Sequence, residues 1–335
     1  MKAIQMTKQG GPEVLTLVDV SDPVAGPGQV LIRVTAASIN FADVMRRRGD
    51  DYPMPTPSPF TPGAEVAGTV AALGEGVDGP AIGTEVFATV GADASGGYAE
   101  LAVAYVPNVI PIPAGLDADT AAGIVVVGLT ATLLLTESLG VTPGQSIFIP
   151  AAAGGVGSYT VQIAKLLGAA PVIAGASTAA KREIAFGLGA DHVIDYTATN
   201  WAEQVRELTG GRGVDAALEM AGGARLAQTL QTLAPFGRMV VFGSVSGTVG
   251  TLDEEAVKPW LYDPAPNQSI LGFNLGPWFE SRLPVTLAAL QQLVGWVTSG
   301  DLKVPVSRSF PLADAAEAHR LLEAGATTGK LILKP

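Results

Sequence analysis

The feature that most constrains how this chain can fold is a glycine-rich turn between a strand-like segment and a helical one. Residues 146–150 form a short apolar run typical of a buried strand, and residues 156–167 have helical character. Glycine lets the backbone approach a bound diphosphate closely, and the free amides that begin a helix favour an anion. The turn therefore predicts a dinucleotide site formed by Gly154, Gly155, Val156 and Gly157. The alternative is a tight turn of the kind that any α/β protein contains.

The two parts of the chain differ in their patterns. Residues 1 to about 120 contain strand-like segments separated by dense turn residues, whereas strand-like and helical segments alternate from about residue 125 onward. Such alternation predicts a parallel, doubly wound sheet. The segments after about residue 270 are expected to return to the first domain. We therefore expect an α/β protein with a β-rich domain formed by residues 1–124 and 268–335, and a dinucleotide-binding domain formed by residues 125–267.

The composition excludes several classes of protein. The net charge is -11, from 20 Lys and Arg against 31 Asp and Glu, which disfavours a nucleic-acid partner. The apolar runs are shorter than the roughly 20 residues that a membrane span needs. The first residues do not resemble a signal peptide either. We expect a cytoplasmic protein with no membrane partner.

Metal and thiol chemistry have few residues available. The chain contains no cysteine and two histidines, His192 and His319. A disulfide, a thiolate nucleophile and a cysteine-ligated metal are therefore excluded. A catalytic zinc ion normally takes three protein ligands. We expect structural roles for both histidines and predict no metal site.

The residues after the second strand of the doubly wound domain indicate which dinucleotide is bound. An NAD site places Asp or Glu about 20 residues beyond the glycines, where the acid bonds the ribose 2′-hydroxyl. The corresponding segment, residues 175–178, contains no acid, and Lys181 and Arg182 follow it. A neutral segment beside cations suits a 2′-phosphate and predicts NADPH rather than NADH. A solvated helix face is the alternative that we expect for one of the two cations.

Further motifs occur along nearly the whole chain. Besides the glycine turn they are Gly144-Gln145, Gln162, Lys165 and the segments 40–43, 62–68, 128–131, 189–196, 213–215, 237–243, 272–275 and 329–331. Together they resemble the quinone oxidoreductases, including the zeta-crystallins, of the medium-chain dehydrogenase/reductase superfamily. The resemblance implies a GroES-like β-barrel domain, a Rossmann domain, an active-site cleft between them and a homodimer.

The resemblance also accounts for the missing metal ligands. In zinc-dependent relatives the segments matching 38–40 and 63–65 carry a cysteine ligand and a His-Glu pair, whereas this chain has Asn40 and Ala64. Without zinc, the expected reaction is hydride transfer from NADPH to an acceptor that is already electrophilic, a quinone or an α,β-unsaturated carbonyl. Two alternatives stay open. One is an enoyl-thioester reductase, and the other is a non-enzymatic NADPH-binding sensor or scaffold protein.

Four residues are implied near the nicotinamide and the acceptor. Asn40 would donate a hydrogen bond to a carbonyl oxygen that gains charge, or it merely caps a strand-end turn. Asp43 would lie near it, or it serves as an N-terminal helix carboxylate. Tyr52 would donate a proton or a hydrogen bond, or it covers the cleft. Thr130 would contact the nicotinamide ribose or carboxamide, or it is an ordinary helix residue.

At the adenosine end the resemblance implies Ser177, Lys181 and Tyr196. One departure is Gly325, which stands where some bacterial relatives place an Arg against the 2′-phosphate. Lys330 is expected either to reach the cofactor or to be a charge at a strand edge. The channel is expected to be lined, mostly through backbone groups, by Ala221, Gly222, Phe242, Gly243, Ser244, Phe273, Asn274 and Leu275.

Three expectations concern the surface. The run Arg46-Arg47-Arg48 is expected to be a solvated face at a helix end, where cations suit the helix dipole. Segment 239–242 is expected to be the last strand of the parallel sheet, with an apolar edge that a partner subunit would cover. Segment 260–262 suits a lid, a dimer contact or a substrate pocket equally.

Overall fold

The computed structural model describes residues 1–262 and 266–335. It consists of two compact units, one formed by Met1–Val127 and Val304–Pro335 and the other by Gly128–Lys303. Among the described helices, none combines the length and the apolar character that a membrane crossing requires. The side chains of Trp260 and Leu261 lie outside the described residues, so the expectations for segment 260–262 stay predictions.

The elements are named in chain order. The strands are β1 (Lys2–Gln5), β2 (Thr16–Asp19), β3 (Gln29–Ile39), β4 (Glu65–Leu73), β5 (Glu85–Thr89), β6 (Leu101–Tyr105), β7 (Val109–Pro111), β8 (Ile147–Ile149), β9 (Val172–Gly175), β10 (His192–Ile194), β11 (Val214–Glu219), β12 (Leu233–Val241), β13 (Ser269–Gly272), β14 (Val306–Pro311) and β15 (Lys330–Lys334). The helices are α1 (Phe41–Arg48), α2 (Ala118–Ala122), α3 (Val125–Leu133), α4 (Gly155–Leu166), α5 (Ala179–Gly187), α6 (Trp201–Glu207), α7 (Arg225–Gln231), α8 (Glu254–Tyr262), α9 (Gly276–Ser281), α10 (Leu283–Ser299) and α11 (Ala315–Glu323).

The first unit is built on a seven-stranded sheet of order β14-β15-β3-β4-β5-β7, in which β6 also pairs with β3. Alternate residues of β3, beginning with Val30, Ile32 and Val34, are buried in its apolar core, as the two-residue period of a strand requires. The last strand, β15, pairs in parallel with β14 and antiparallel with β3. It therefore lies inside the sheet and not at its edge.

The second unit contains a six-stranded sheet of order β10-β9-β8-β11-β12-β13. All of its pairings are parallel, as the alternating pattern predicts. The order reverses between β8 and β11, which are neighbours in the sheet but distant in the chain. A doubly wound sheet binds its ligands beyond the carboxyl ends of its strands at such a reversal. The sheet therefore places the candidate site next to the end of β8.

The structure corrects the prediction for the edge of this sheet. Segment 239–242 belongs largely to β12, and β12 pairs with both β11 and β13, so it is not an edge strand. Among the described strands, β13 forms the edge of the sheet on this side, and β10 forms the opposite edge. Because β13 joins this sheet, residues 269–272 belong to the second unit, whereas the sequence assigned 268–303 to the first. The strand escaped prediction because only Ile270 and Leu271 of its four residues are strongly apolar.

The arginine run also differs from the expectation. Arg46 and Arg47 are only 2% and 0% exposed. Arg46 donates to the carbonyl oxygens of Pro55 at 2.6 Å and Asp93 at 2.8 Å, and Arg47 forms an ion pair with Glu323 at 2.6 Å. The expected solvated face is therefore wrong for these two residues. Loop carbonyls and a carboxylate take the place of water around both guanidinium groups, as burial of an arginine requires.

Candidate functional site

The glycine turn leads directly from β8 into α4, whose N-cap is Gly154. Ala151 has a left-handed backbone (φ 47°), and its carbonyl accepts a hydrogen bond from the Gly154 amide at 2.8 Å. A Cβ at Gly157 would lie 2.3 Å from the same carbonyl oxygen, so only glycine allows α4 to pack this closely on the strand. Within the described residues no side chain caps α4. Its first amides are therefore oriented for an anion, and the turn fits a diphosphate.

The residues predicted to line the cofactor channel follow the carboxyl ends of the parallel strands. Ser177 follows β9, Tyr196 follows β10 and Ala221 follows β11. Segments 242–244 and 273–275 follow β12 and β13. Parallel strands end at the same edge of their sheet, so the structure gathers these residues along one edge with the glycine turn. The two segments contain Phe242, Gly243, Ser244, Phe273, Asn274 and Leu275.

Ser177 and Tyr196, both predicted for the adenosine end, follow the neighbouring strands β9 and β10. Burial raises the pKa of Tyr196 above its ordinary value. A Cβ at Gly175 would lie 2.9 Å from the Tyr196 ring, so the glycine that ends β9 makes room for that ring. The ring of Tyr196 therefore lies at the end of β9.

The two neighbouring cations differ in their surroundings. Arg182 forms an ion pair with Asp195 at 3.1 Å and donates to the carbonyl of Ala176 at 3.1 Å. Lys181 lies in the first turn of α5, where its backbone amide donates to Thr178 Oγ1 at 3.3 Å. Burial lowers the pKa of the Lys181 ammonium. Arg182 is thus held by a carboxylate and a carbonyl of the same unit.

A pocket of about 480 Å³ lies at the same edge of the sheet. Glu219, at the end of β11, shapes its wall: Oε1 accepts from the amides of Ala221 at 2.6 Å and Gly222 at 2.9 Å, and Oε2 accepts from the Thr229 hydroxyl at 2.5 Å. Sequence reasoning missed Glu219. The signal that marks it is a single acid that ends an apolar strand just before a glycine pair. The other residues around the pocket include Phe148, Tyr196, Trp201 and Arg225.

In the first unit, Lys330 is 1% exposed and lies among three acceptors. Its ammonium donates to Asn40 Oδ1 at 2.7 Å and to the Ile39 carbonyl at 3.0 Å, and it lies 3.3 Å from Glu65 Oε1. Burial lowers the pKa of this ammonium, although the charge of Glu65 opposes the shift. The expected charge at a strand edge is therefore wrong for Lys330, because β15 lies inside its sheet.

These contacts fix the orientation of the Asn40 amide. An ammonium only donates hydrogen bonds, so Lys330 selects Oδ1, and a carboxylate only accepts them, so Glu65 selects Nδ2. Asn40 Nδ2 donates to Glu65 Oε1 at 3.0 Å, and Glu65 Oε2 accepts from the Val126 amide at 2.8 Å. One Nδ2 hydrogen of Asn40 thus has an assigned partner, and the other is the donor that an acceptor oxygen could use. Glu65 was not predicted as a site residue.

Asp43 lies in the first turn of α1 and holds the chain entering that helix. Its Oδ2 accepts from the backbone amide of Asn40 at 2.9 Å and from the Tyr98 hydroxyl at 3.1 Å. Its Oδ1 accepts from the backbone amide of Gly63 at 3.0 Å. Burial raises the pKa of Asp43, although all three hydrogen bonds oppose the shift. These contacts favour the structural alternative for Asp43, a carboxylate at a helix N-terminus.

Tyr52 lies in the loop between α1 and β4, with the Arg46 guanidinium 5.5 Å from its ring centre. Burial and the nearby Asp43 charge raise the pKa of its hydroxyl. The hydroxyl is therefore protonated at neutral pH and able to donate a hydrogen bond, while the raised pKa makes it a weaker acid than a free tyrosine. In the described part of the chain no hydrogen bond joins Tyr52 to Asn40. Thr130, in α3, is 8% exposed.

His319 is buried against Tyr98, and its Nε2 lies 3.1 Å from the Tyr98 hydroxyl. Burial, aided by the nearby Arg47, lowers its pKa to about 3. In the unfolded chain, where a histidine has a pKa of about 6.5, this side chain binds a proton below that pH, whereas in the folded chain it stays neutral. Its contribution to stability is therefore complete above about pH 6.5 and is lost as the pH falls toward 3. We expect the free energy of unfolding, measured with denaturant, to fall by about 2 kcal/mol from this group between pH 7 and pH 5.

Two variants test this expectation. His319→Phe should lower the stability at pH 7, because Tyr98 loses a partner, and should remove the contribution of this group to the pH dependence. His192 is exposed at the start of β10, so His192→Gln should keep the wild-type dependence. An unchanged pH dependence in His319→Phe would mean that another group titrates.

Comparison with known proteins places this geometry in a family. The model of the alcohol dehydrogenase GroES-like domain matches residues 26–114, and that of the zinc-binding dehydrogenases matches residues 188–333. A quinone oxidoreductase of Pseudomonas aeruginosa is 35% identical over 340 residues, covering 100% of this chain and 99% of the relative. This chain belongs to the quinone oxidoreductase family.

Other members of the quinone oxidoreductase family and their solved structures agree. A 2-haloacrylate reductase of a Burkholderia species is 33% identical over 334 residues, covering 98% of this chain and 97% of the relative. The crystal structure of Escherichia coli quinone oxidoreductase complexed with NADPH has a TM-score of 0.92 at 31% identity and covers 100% of both chains. The predicted combination of a GroES-like domain with a Rossmann doubly wound sheet is confirmed.

The zinc-binding description of one matched model contrasts with the residues of this chain. It has no cysteine, and of its two histidines His192 is exposed and His319 contacts Tyr98. In residues 1–262 and 266–335, no three His, Asp or Glu side chains are grouped as a metal ion would require. The prediction that the enzyme uses no zinc thus rests on the lack of cysteine and on the surroundings of its two histidines.

Two residues of the family signature have structural contacts in this chain. The Gln162 side-chain amide donates to the Lys303 carbonyl at 3.0 Å and accepts from the Lys303 backbone amide at 2.8 Å. Lys165 forms an ion pair with Asp191 at 2.8 Å, and Asp191 also accepts from the Val172 backbone amide at 2.7 Å. Both signature residues therefore hold α4 against neighbouring segments of its unit.

Proposed function

We propose that this member of the quinone oxidoreductase family is a zinc-independent, NADPH-dependent enzyme of the cytoplasm that reduces a quinone or an α,β-unsaturated carbonyl compound. The observation that supports the proposal most is the row of predicted cofactor residues along one edge of the six-stranded sheet, beginning at the glycine turn. The relatives support the same class of reaction: one was crystallised with NADPH, and another is named for the reduction of a 2-haloacrylate, an activated alkene.

The residues present fit this cofactor. The amides of Gly155, Val156 and Gly157 would hold its diphosphate at the positive end of α4, while Gly154, whose amide donates to Ala151, shapes the turn. Ser177, Lys181 and Tyr196 would hold its 2′-phosphate. Segments 221–222, 242–244 and 273–275 would line its path, and Thr130 would face the nicotinamide end. When bound, the nicotinamide supplies a hydride.

The side chains of the first unit would act on the acceptor. Lys330 and Glu65 hold the Asn40 amide in one orientation, so the second Nδ2 hydrogen is pre-aligned to donate to a carbonyl oxygen. A donor fixed before the reaction stabilises the charge that develops on that oxygen without having to reorient. In this proposal Lys330 acts through Asn40, and Asp43 holds the start of α1 in place. Tyr52 would supply a proton from its hydroxyl.

The residue types also favour acceptors that are electrophilic without a metal. An unactivated ketone or alcohol needs a Lewis acid or a strong proton donor to exchange hydride. The chain offers neither a cysteine nor a pair of adjacent histidines for a zinc ion. Quinones and conjugated carbonyl compounds accept hydride at carbon and delocalise the charge onto oxygen, where one oriented amide suffices.

The proposal is tested in two stages. Isothermal titration of the purified chain should show NADPH binding at least 10-fold tighter than NADH, because a 2′-phosphate forms charge-assisted hydrogen bonds worth more than about 1.4 kcal/mol. Loss of absorbance at 340 nm is then followed with 1,4-quinones, 2-alkenals and enoyl thioesters. Turnover of the quinones or 2-alkenals supports the proposal, and a clear preference for thioesters supports the alternative of an enoyl-thioester reductase. If neither nucleotide binds, the proposal is wrong.

A non-enzymatic NADPH-binding sensor or scaffold is the alternative of another class. It predicts tight NADPH binding with no consumption of the cofactor by any acceptor. The oriented Asn40 amide favours the enzyme, since a sensor needs no donor held for an acceptor oxygen.

We also propose a homodimer in which the edge strand β13 pairs with a second copy. Its outer edge has no partner among the described strands, and an exposed edge invites pairing with another chain. Sedimentation equilibrium at micromolar concentration decides between dimer and monomer.

A further inference from the structure

Arg225, at the start of α7, lies against Tyr196 although nothing in the sequence marked it. Its guanidinium carbon is 4.5 Å from the centre of the Tyr196 ring, and its NH1 donates to the Tyr196 carbonyl at 3.2 Å. An arginine stacked on an aromatic face is held in one plane, so that its remaining N–H groups keep a fixed direction. Both residues border the pocket of about 480 Å³ at the carboxyl edge of the sheet.

Tyr196 connects Arg225 to the predicted adenosine end. The Arg225 guanidinium stacks on its ring, and a Cβ at Gly175, the last residue of β9, would lie 2.9 Å from the same ring. The residues just after β9 are where an NAD-specific protein places its acid. The guanidinium thus packs on a ring that lies beside the place expected for the ribose 2′ position.

The neighbouring carboxylates do not neutralise Arg225. Asp195 pairs with Arg182 at 3.1 Å, and both oxygens of Glu219 accept from Ala221, Gly222 and Thr229. Within the part of the chain that the structure describes, no carboxylate lies at ion-pair distance from Arg225. A guanidinium has five N–H donors, and the Tyr196 carbonyl takes one of them. The others are suited to a phosphate, which an arginine binds through two parallel hydrogen bonds.

We propose that Arg225 is a specificity residue for NADPH, whose adenosine 2′-phosphate it binds while stacked on Tyr196. The inference rests on the proposed function, since it needs a bound NADPH. It adds to that function a cation from the first residue of α7, besides Lys181 of α5. The charge and the plane of the guanidinium are both required, so lysine is not an equivalent replacement.

The experiment measures affinity and not turnover. Isothermal titration with 2′,5′-ADP, 5′-AMP, NADPH and NADH is carried out on the wild type, Arg225→Leu and Arg225→Lys. We expect Arg225→Leu to weaken 2′,5′-ADP and NADPH by about 10- to 100-fold, as for the loss of one charge-assisted hydrogen bond, and to leave 5′-AMP and NADH within about twofold. Arg225→Lys should recover part of the loss. The dependence of NADPH affinity on salt should also become weaker in Arg225→Leu.

A matched control is Arg206→Leu, which removes a guanidinium from the neighbouring α6, where it donates to carbonyls of the same unit. It should leave all four affinities unchanged. An equal loss for 5′-AMP and 2′,5′-ADP in Arg225→Leu would show that Arg225 contacts the adenine, and unchanged affinities would show that it contacts no ligand. Either result overturns the inference while the wild type still binds NADPH. Failure of the wild type to bind NADPH overturns the proposed function itself.

Discussion

Replacing Gly157 by alanine is expected to abolish NADPH binding and to destabilise the second unit. The new Cβ would lie 2.3 Å from the Ala151 carbonyl oxygen and 2.8 Å from the Ala152 Cα, both of which are backbone atoms that no side-chain rotation can move. Either α4 must move away from β8 or the turn must open, and both displace the amides that point at the diphosphate. We expect the affinity for NADPH to fall at least roughly 100-fold and the unfolding free energy by about 2–3 kcal/mol.

Gly295 provides the control for this substitution. It lies within α10, and a Cβ there would have no heavy atom within 4 Å. Gly295→Ala should therefore raise stability by about 0.5–1 kcal/mol, because alanine loses less backbone entropy in a helix, and should leave NADPH affinity unchanged. Titration calorimetry and denaturant unfolding of both variants separate the two positions. Tight NADPH binding by Gly157→Ala would contradict the role given to the glycine turn.

Replacing Lys330 by methionine is expected to have the second large effect, on both stability and turnover. The substitution leaves the Glu65 carboxylate, 1% exposed, without its cation. An uncompensated buried charge costs about 3–5 kcal/mol. The Asn40 amide also loses the contact at 2.7 Å that selects its oxygen. We expect kcat to fall roughly 100-fold, as for the loss of one oriented donor, while NADPH affinity changes less than about threefold.

Two comparisons separate positioning from stability. Lys334 lies on the same strand and pairs with Asp119, but its side chain is 38% exposed, so Lys334→Met should cost less than about 1 kcal/mol and preserve kcat. In the double variant Lys330→Met/Glu65→Gln the buried charge of Glu65 is also removed, and part of the stability should return. Because Lys330 no longer selects Oδ1 of Asn40, kcat should stay low. If kcat recovered together with stability, Lys330 would be a structural residue and not a positioning one.

The sequence predicts those features that are written in neighbouring residues. The glycine turn, the apolar run before it and the helix after it lie within about 20 consecutive residues, and their periodicity is enough to place them. Most channel residues also follow strands that the pattern reveals, whereas segment 273–275 follows β13, which the pattern does not reveal. The resemblance supplied their order along the cofactor.

The features that escaped prediction depend on partners that are distant in the chain. Lys330 and Glu65 are separated by 265 positions, so the sequence does not indicate that they form an ion pair. The sequence around Arg46 predicts a surface cation, but the loops that contain Pro55 and Asp93 bury it. Arg225 is the first residue of α7, and its contact with Tyr196, 29 positions earlier, cannot be seen in the sequence. In each case a charged residue was misassigned or overlooked because its surroundings come from distant parts of the chain.

The place of β15 has a consequence for the order in which the chain acquires its structure. This strand fills the gap between β14 and β3, so the sheet of the first unit stays incomplete until residues 330–334 have been synthesised. The described strands of the second unit all precede Lys303. During synthesis the nucleotide-binding unit can therefore complete its sheet before the first unit does.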